Sequence, residues 1–255
     1  MDGPDAARRA APAAADRPLK SAAARSRAGP VGLATGASRA ADATSPVPLA
    51  AGSPRPPKQV RALKLAVFAL ALLPLARLVL AGSTGVFGGL GANPVELITR
   101  STGTWALVLL CITLAVTPVR RITGWHVLQR ARRMLGLFAF FYAALHFTTW
   151  VWFDHWFDVR AMVADVIERP FVTMGFLAFV LLVPLAATST DAMVRRLGRR
   201  WSQLHRLVYA VAIVAVLHYW WHKSGKSDYA EVAWYACAVA LLLGWRLLAR
   251  MRRAR

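Results

Sequence analysis

Beyond residue 58, six apolar stretches alternate with short polar segments. They fall at about 65–80, 103–117, 134–153, 171–187, 204–221 and 230–248. Several are shorter than the ~20 residues an ideal membrane span needs, but mildly apolar flanks extend them. Only helices fit, because a spanning segment must satisfy its own backbone hydrogen bonds in lipid. The pattern predicts an all-α membrane protein built as a six-transmembrane-helix bundle. Local signals support the boundaries. Pro170 suits a first helical turn, where its missing N–H costs nothing. Thr190 or Asp191 suits the cap of a short interfacial helix. Pro74 predicts a kink in the first span. Arg77, near that span's outer end, is expected to snorkel to the surface.

Residues 1–58 differ in kind. They are rich in Ala, Pro, Ser, Gly and Arg and nearly empty of large apolar side chains. Such a segment cannot bury enough surface to offset its ordering entropy, so a disordered cytoplasmic tail is expected. It has no apolar run of the kind a signal peptide carries. The six-helix domain is expected over 59–255.

Charge settles the expected topology. The 255 residues combine 57% hydrophobic content with a formal net charge of +20. The mean hydropathy is +0.43. Arg55, Lys58, Arg61 and Lys64 precede the first span; Arg120, Arg121, Arg130, Arg132 and Arg133 separate the second and third. Arg195, Arg196, Arg199 and Arg200 separate the fourth and fifth, and Arg250, Arg252, Arg253 and Arg255 follow the sixth. The other three connections are poor in Lys and Arg, and the loop from Asp154 to Pro170 is acidic. This complete alternation places both termini in the cytoplasm. It also removes a nucleic-acid partner, because charges on alternate loops form no continuous patch. Tryptophans near the span ends read as interfacial anchors. Cys111 and Cys237 are isolated in apolar segments, which argues against a disulfide, zinc or iron–sulfur role.

The candidate chemistry lies in three histidines within the apolar runs: His146, His205 and His218. An intramembrane histidine is a functional-site hypothesis by default. His146 and His218 fall at matched depth, in the half of the membrane away from the arginine-rich loops. Two neutral imidazoles facing one another in a bundle can clamp a haem iron from both sides. The bland alternative is a histidine hydrogen-bonded between helices. Matched depth favours haem. His205 opens the fifth span on the arginine-rich side, 13 residues before His218. On a continuous helix the two rings would lie about 140° apart, so one face cannot carry both without a distortion. His222 shares a face with His218 but sits at the water boundary, where solvation is the simpler reading. His126 and His155 lie in loops and receive no cofactor role.

Several stretches together carry a family resemblance. They are Gly89 to Pro94, Thr102 to Leu107, Arg132 to Leu137, Ala144 to His146, Thr188 to Met193, Leu197 to Tyr209 and Leu217 to Tyr219. Over residues of about 60 to 250 the chain resembles the MsrQ (YedZ) family. Its members are haem-binding membrane subunits of the bacterial protein-methionine-sulfoxide reductase system. The resemblance implies a bundle of the ferric-reductase-like type in the bacterial inner membrane, with b-type haem. Larger relatives in that group hold two haems, with two histidines on each of the third and fifth helices. Here the position 13 or 14 residues before His146 is Arg133 or Arg132. The His146–His218 pair is thus complete, and His205 lacks a counterpart. One haem is implied, with a second left open.

The resemblance further implies a bound flavin mononucleotide (FMN). Electrons are expected from the quinone pool or a cytoplasmic flavin reductase. The acceptor would be a periplasmic molybdopterin methionine sulfoxide reductase, MsrP, which repairs oxidised envelope proteins. Arg132 and Arg133 are candidates for a flavin phosphate or haem propionates. Membrane lipid headgroups and topology are the simpler account of most such arginines. The expected role is a non-catalytic electron-transfer subunit. A self-contained ferric-reductase-like oxidoreductase is the alternative, but no GxGxxG opens a βαβ unit for a nicotinamide cofactor. A haem-free transporter or scaffold is the third reading. It would predict broken spans with midplane charges in both halves.

Overall fold

The structure is a computed structural model and describes residues 58–224 and 229–254. The tail expected over 1–58 lies outside the described residues, apart from Lys58, which opens the first helix. Among the described residues the fold is helical throughout, with six helices long and apolar enough to cross a membrane. In chain order these are α1 (Lys58–Thr84), α2 (Pro94–Thr123) and α3 (Arg132–Thr149), which continues through a π-turn at Trp150–Asp154. Then come α4 (Val159–Glu168), α5 (Pro170–Ala187), α6 (Asp191–Leu197) and α7 (Arg199–Leu204). Last are α8 (Leu207–Ser224) and α9 (Ala230–Ala254). All six expected spans are present, and their flanks lengthen them as the mild apolarity of those flanks suggested.

Cap chemistry explains the ends. The Asn93 side chain accepts from Glu96 N–H, and Pro94 opens α2 where no intrahelical donor is needed. The turn before it uses Gly89 and Gly91 at φ of 66° and 71°, a left-handed region that suits residues without Cβ. Pro170 sits in the first turn of α5, and Thr190 caps α6 through Met193 N–H. The acidic connection after α3 is not all loop. Asp158 accepts from the N–H groups of Arg160 and Ala161 and starts α4. Near Pro74, the Tyr142 hydroxyl donates to Ala71 O at 2.7 Å and accepts from Leu75 N–H at 3.2 Å. A side chain from α3 therefore enters the ladder of α1 and satisfies groups that the neighbouring proline leaves poorly paired. Tyr142 is fully buried.

The fifth span differs from the expected single helix. It is broken at His205 and Arg206, between α7 and α8. The ideal-helix phase between His205 and His218 therefore does not apply.

Two antiparallel pairs form the heart of the bundle: α2 with α3, and α5 with α8, joined through α3 and α5. α1 packs on α3 and α2, and α9 packs on α8 and α2. Leu109, Leu110, Leu114, Ala139, Val211 and Ala212 form the centre of the core. Large apolar side chains also cover the outside: Leu65, Leu70 and Leu241 are about two-thirds exposed. In water that surface would be a liability, and in lipid it is the solvated face.

Candidate cofactor site

The two helix pairs each contribute one histidine to a shared cavity. His146 lies near the end of α3 and His218 near the end of α8, and both line a space of about 560 Å³. Their ring centres are 6.1 Å apart, with planes inclined at 68°. His146 Nδ1 is 2.9 Å from Thr99 O on α2, and His218 Nδ1 is 2.7 Å from Phe171 O on α5. A carbonyl oxygen only accepts, so each Nδ1 carries the proton. Each Nε2 then keeps its lone pair. This is the tautomer and the orienting contact that metal-binding histidines use.

The same device is built twice. The accepting residue precedes its histidine by 47 positions in both halves. Four residues after each accepting residue stands a glycine. A Cβ placed on Gly103 would lie 3.0 Å from His146 Cε1 and Nδ1. One placed on Gly175 would lie 2.8 Å from His218 Cε1. Each imidazole thus occupies space on the facing helix that a side chain would fill. The sequence reading did not single out these glycines or carbonyls. A signal was there: 146 − 103 and 218 − 175 are both 43.

The residues fit haem. A metal–imidazole bond is about 2 Å. Ring bonds of about 1.35 Å place each nitrogen roughly 1.1 Å from the ring centre. Two imidazoles on one iron then have centres about 6 Å apart, close to the distance observed. Two protein ligands on opposite sides leave the equatorial positions to be filled. No group of three or more His, Cys, Asp or Glu that could hold a bare metal ion occurs among the described residues. A macrocycle supplies those equatorial donors itself. The cavity walls are mainly apolar, with Phe147, Phe171, Phe176 and Leu182 among them, and the volume is that of a cofactor site.

One end of this cavity is braced by a buried carboxylate. Asp165 of α4 accepts from Trp150 Nε1 and His155 Nε2, both at 3.0 Å, and pairs with Arg169 Nε at 2.8 Å. Trp150 lines the cavity, so α4 fixes part of its wall. His155, which was given no cofactor role, is a structural strut. His222 lines the cavity from an exposed position near Phe171.

The other predicted site residues lie elsewhere. The ring of His205 is stacked on Trp201 with centres 3.9 Å apart. Its Nδ1 is 3.1 Å from Trp201 O, and its Nε2 is 3.5 Å from Ser189 Oγ. It does not line the His146–His218 cavity. Arg133 is paired with Asp191. Arg132 faces a second, smaller cavity with Arg121, Arg246 and Arg250. The structure therefore unites His146 with His218 and separates His205, Arg132 and Arg133 from them.

Six helices long and apolar enough to cross a membrane, with a facing histidine pair between them, define a multi-pass transmembrane protein. Residues 102–216 match the family model described as the ferric reductase like transmembrane component. Three similar curated proteins carry the name protein-methionine-sulfoxide reductase heme-binding subunit MsrQ. That of Ralstonia nicotianae is 59% identical over 78% of this chain and 91% of its own length. That of Herminiimonas arsenicoxydans is 58% identical over 74% and 86%. That of Bordetella pertussis is 53% identical over 79% and 96%. The chain belongs to the MsrQ family.

Proposed function

We propose that this chain is the haem b electron-transfer subunit of a protein-methionine-sulfoxide reductase system. The observation that carries this reading is the imidazole pair, 6.1 Å apart, with both Nδ1 groups tied to backbone carbonyls. His146 and His218 hold the iron of one haem. Haem, when bound, supplies reversible one-electron transfer. The carbonyls of Thr99 and Phe171 orient the rings and raise the basicity of each Nε2. Gly103 and Gly175 admit the rings to the helix surfaces. The phenylalanine-rich wall excludes water. Arg100, on the cavity rim beside Glu96, is the cation placed for a haem carboxylate.

A second haem would fall to His205, whose ring nitrogens already face Trp201 O and Ser189 Oγ. FMN is proposed from family membership, without an assigned pocket. Of its two candidate residues, Arg133 is engaged by Asp191, and Arg132 faces a separate, arginine-lined cavity. Electrons reach the subunit from the quinone pool or a cytoplasmic flavin reductase. They are delivered to periplasmic MsrP, which reduces methionine sulfoxide in envelope proteins. The chain itself is non-catalytic. It lies in the bacterial inner membrane with both termini in the cytoplasm, since the arginine-rich loops stay on that side. The cavity then opens toward the periplasmic partner.

A spectrum tests the reading. Purified protein is expected to show a b-type Soret band, with sharp α and β bands on reduction. His146→Ala and His218→Ala should each abolish the low-spin signal. Wild-type spectra from both variants would overturn the ligand assignment, and no haem at all would favour a transporter or scaffold. Reduced protein should be reoxidised by the molybdoenzyme plus a methionine sulfoxide much faster than by ferric chelates. The reverse order would favour a self-contained ferric-reductase-like oxidoreductase.

A further inference from the structure

At the arginine-rich end of the bundle lies a second cavity, of about 210 Å³. Its walls include Arg121 of α2, Arg132 of α3, Tyr209 of α8, and Trp245, Arg246 and Arg250 of α9. Four guanidinium groups from three helices thus meet, and no Asp or Glu lines the space. Like charges gathered this way repel one another unless an anion sits among them.

Arg246 makes the strongest case. It is only 9% exposed. Its Nη2 donates to Leu114 O at 2.6 Å, and its guanidinium lies over the Tyr209 ring, 5.2 Å from the centroid. Its Nη1 is buried and has no hydrogen-bond partner among the described residues. A buried guanidinium with an unused donor is costly, and removing it from water is worthwhile only if something pairs with it. Arg121 is held in a similar way, 5.3 Å from the Trp245 ring centroid. Two of the four cations are therefore pre-oriented by aromatic faces before any ligand arrives.

We infer that this cavity is a binding site for the phosphate headgroup of an anionic phospholipid. Guanidinium groups match phosphate oxygens in geometry and charge. The volume is below the roughly 300–1,000 Å³ of sites that enclose a whole small molecule, and suits a phosphate with its immediate substituents. The rest of the ligand must then lie outside. Trp245 and Arg246 belong to the spanning part of α9, and Leu241, Leu247 and Leu248 on that helix are exposed. Acyl chains can lie along them while the phosphate enters the arginine cluster. A lipid bridging α2, α3 and α9 would fasten the peripheral sixth span to the α2–α3 pair. The site shares no lining residue with the His146–His218 cavity, so it stands or falls independently of the haem reading.

The test uses the full-length protein, delipidated in detergent and then offered phosphatidylglycerol or phosphatidylcholine in mixed micelles. Native mass spectrometry reads the lipid retained per chain. Phosphatidylglycerol is expected to be retained in preference to phosphatidylcholine. The double variant Arg121→Gln, Arg250→Gln changes two exposed residues and should weaken retention roughly thirtyfold. Its haem-to-protein ratio should stay at the wild-type value, which also reports that the variant folds. Equal retention of the two lipids, or an unchanged affinity in a haem-loaded double variant, would overturn the inference. A double variant that lost haem as well would overturn the independence of the two sites, and the single variant Arg250→Gln then carries the lipid comparison. Competition arms separate the source of the phosphate. Displacement of phosphatidylglycerol by equimolar inorganic phosphate or FMN would assign the site to a soluble anion and overturn the lipid reading.

Discussion

The two cavities of this bundle have opposite linings. The larger is apolar and is served by neutral imidazoles that each keep one lone pair for a metal. The smaller is crowded with guanidinium groups, which have only donors and can never ligate iron. His205 sharpens the contrast. It comes from the same span as His218, yet its ring rests on Trp201, with Nδ1 against Trp201 O and Nε2 facing Ser189 Oγ. What separates the two histidines is the facing backbone. His218 meets a carbonyl four residues before a glycine, so its ring is drawn across to another helix. His205 bonds to Trp201 O, one turn back on its own segment.

The largest effect that could break this contrast is on haem itself. His146→Ala or His218→Ala should remove essentially all low-spin haem, while His205→Ala should leave haem per chain unchanged in a pyridine haemochrome assay. A fall to half in His205→Ala would instead place a second haem there. Next come the glycines. Gly175→Ala forces a Cβ to 2.8 Å from the His218 ring. It is expected to weaken haem retention by about 10–100-fold, the usual cost of disturbing an orienting contact. Gly103→Ala creates a slightly longer contact, 3.0 Å, and should cost less. Haem titration of the apoprotein would read both. A third measurement sharpens the geometry without mutation. Imidazole planes inclined at 68° predict a strongly anisotropic low-spin ferric signal in electron paramagnetic resonance, and Gly175→Ala should shift it. The smallest effect is the control. A Cβ on Gly136 meets only Thr113 Cγ2 at 3.7 Å, so Gly136→Ala should leave haem untouched. Its thermal stability should hold or rise by up to about 1 kcal/mol.

The two facing histidines were legible in the sequence, but their setting was not. Intramembrane polarity alone marks His146 and His218, and loop charge assigns their common depth. The glycines carry no such mark, because glycine in an apolar helix is commonplace. Its meaning appears only when a ring from another helix fills the missing Cβ. Arg246 lies inside the sixth apolar run and was not singled out among the basic residues. Asp165 looked like one acid among several in a loop, whereas it braces Trp150, His155 and Arg169.

The sequence by itself determined the six spans and the side on which positive charge accumulates. Those depend on local hydropathy and on the rule that lipid tolerates no unpaired backbone. It also singled out the histidines, because a polar ring in an apolar run is visible without neighbours. Tertiary structure alone decided which histidines meet. It broke the fifth span at His205, set two rings 6.1 Å apart, and gathered four arginines around one cavity. Those outcomes rest on contacts between residues far apart in the chain, which depend on how whole helices pack rather than on any one helix's composition.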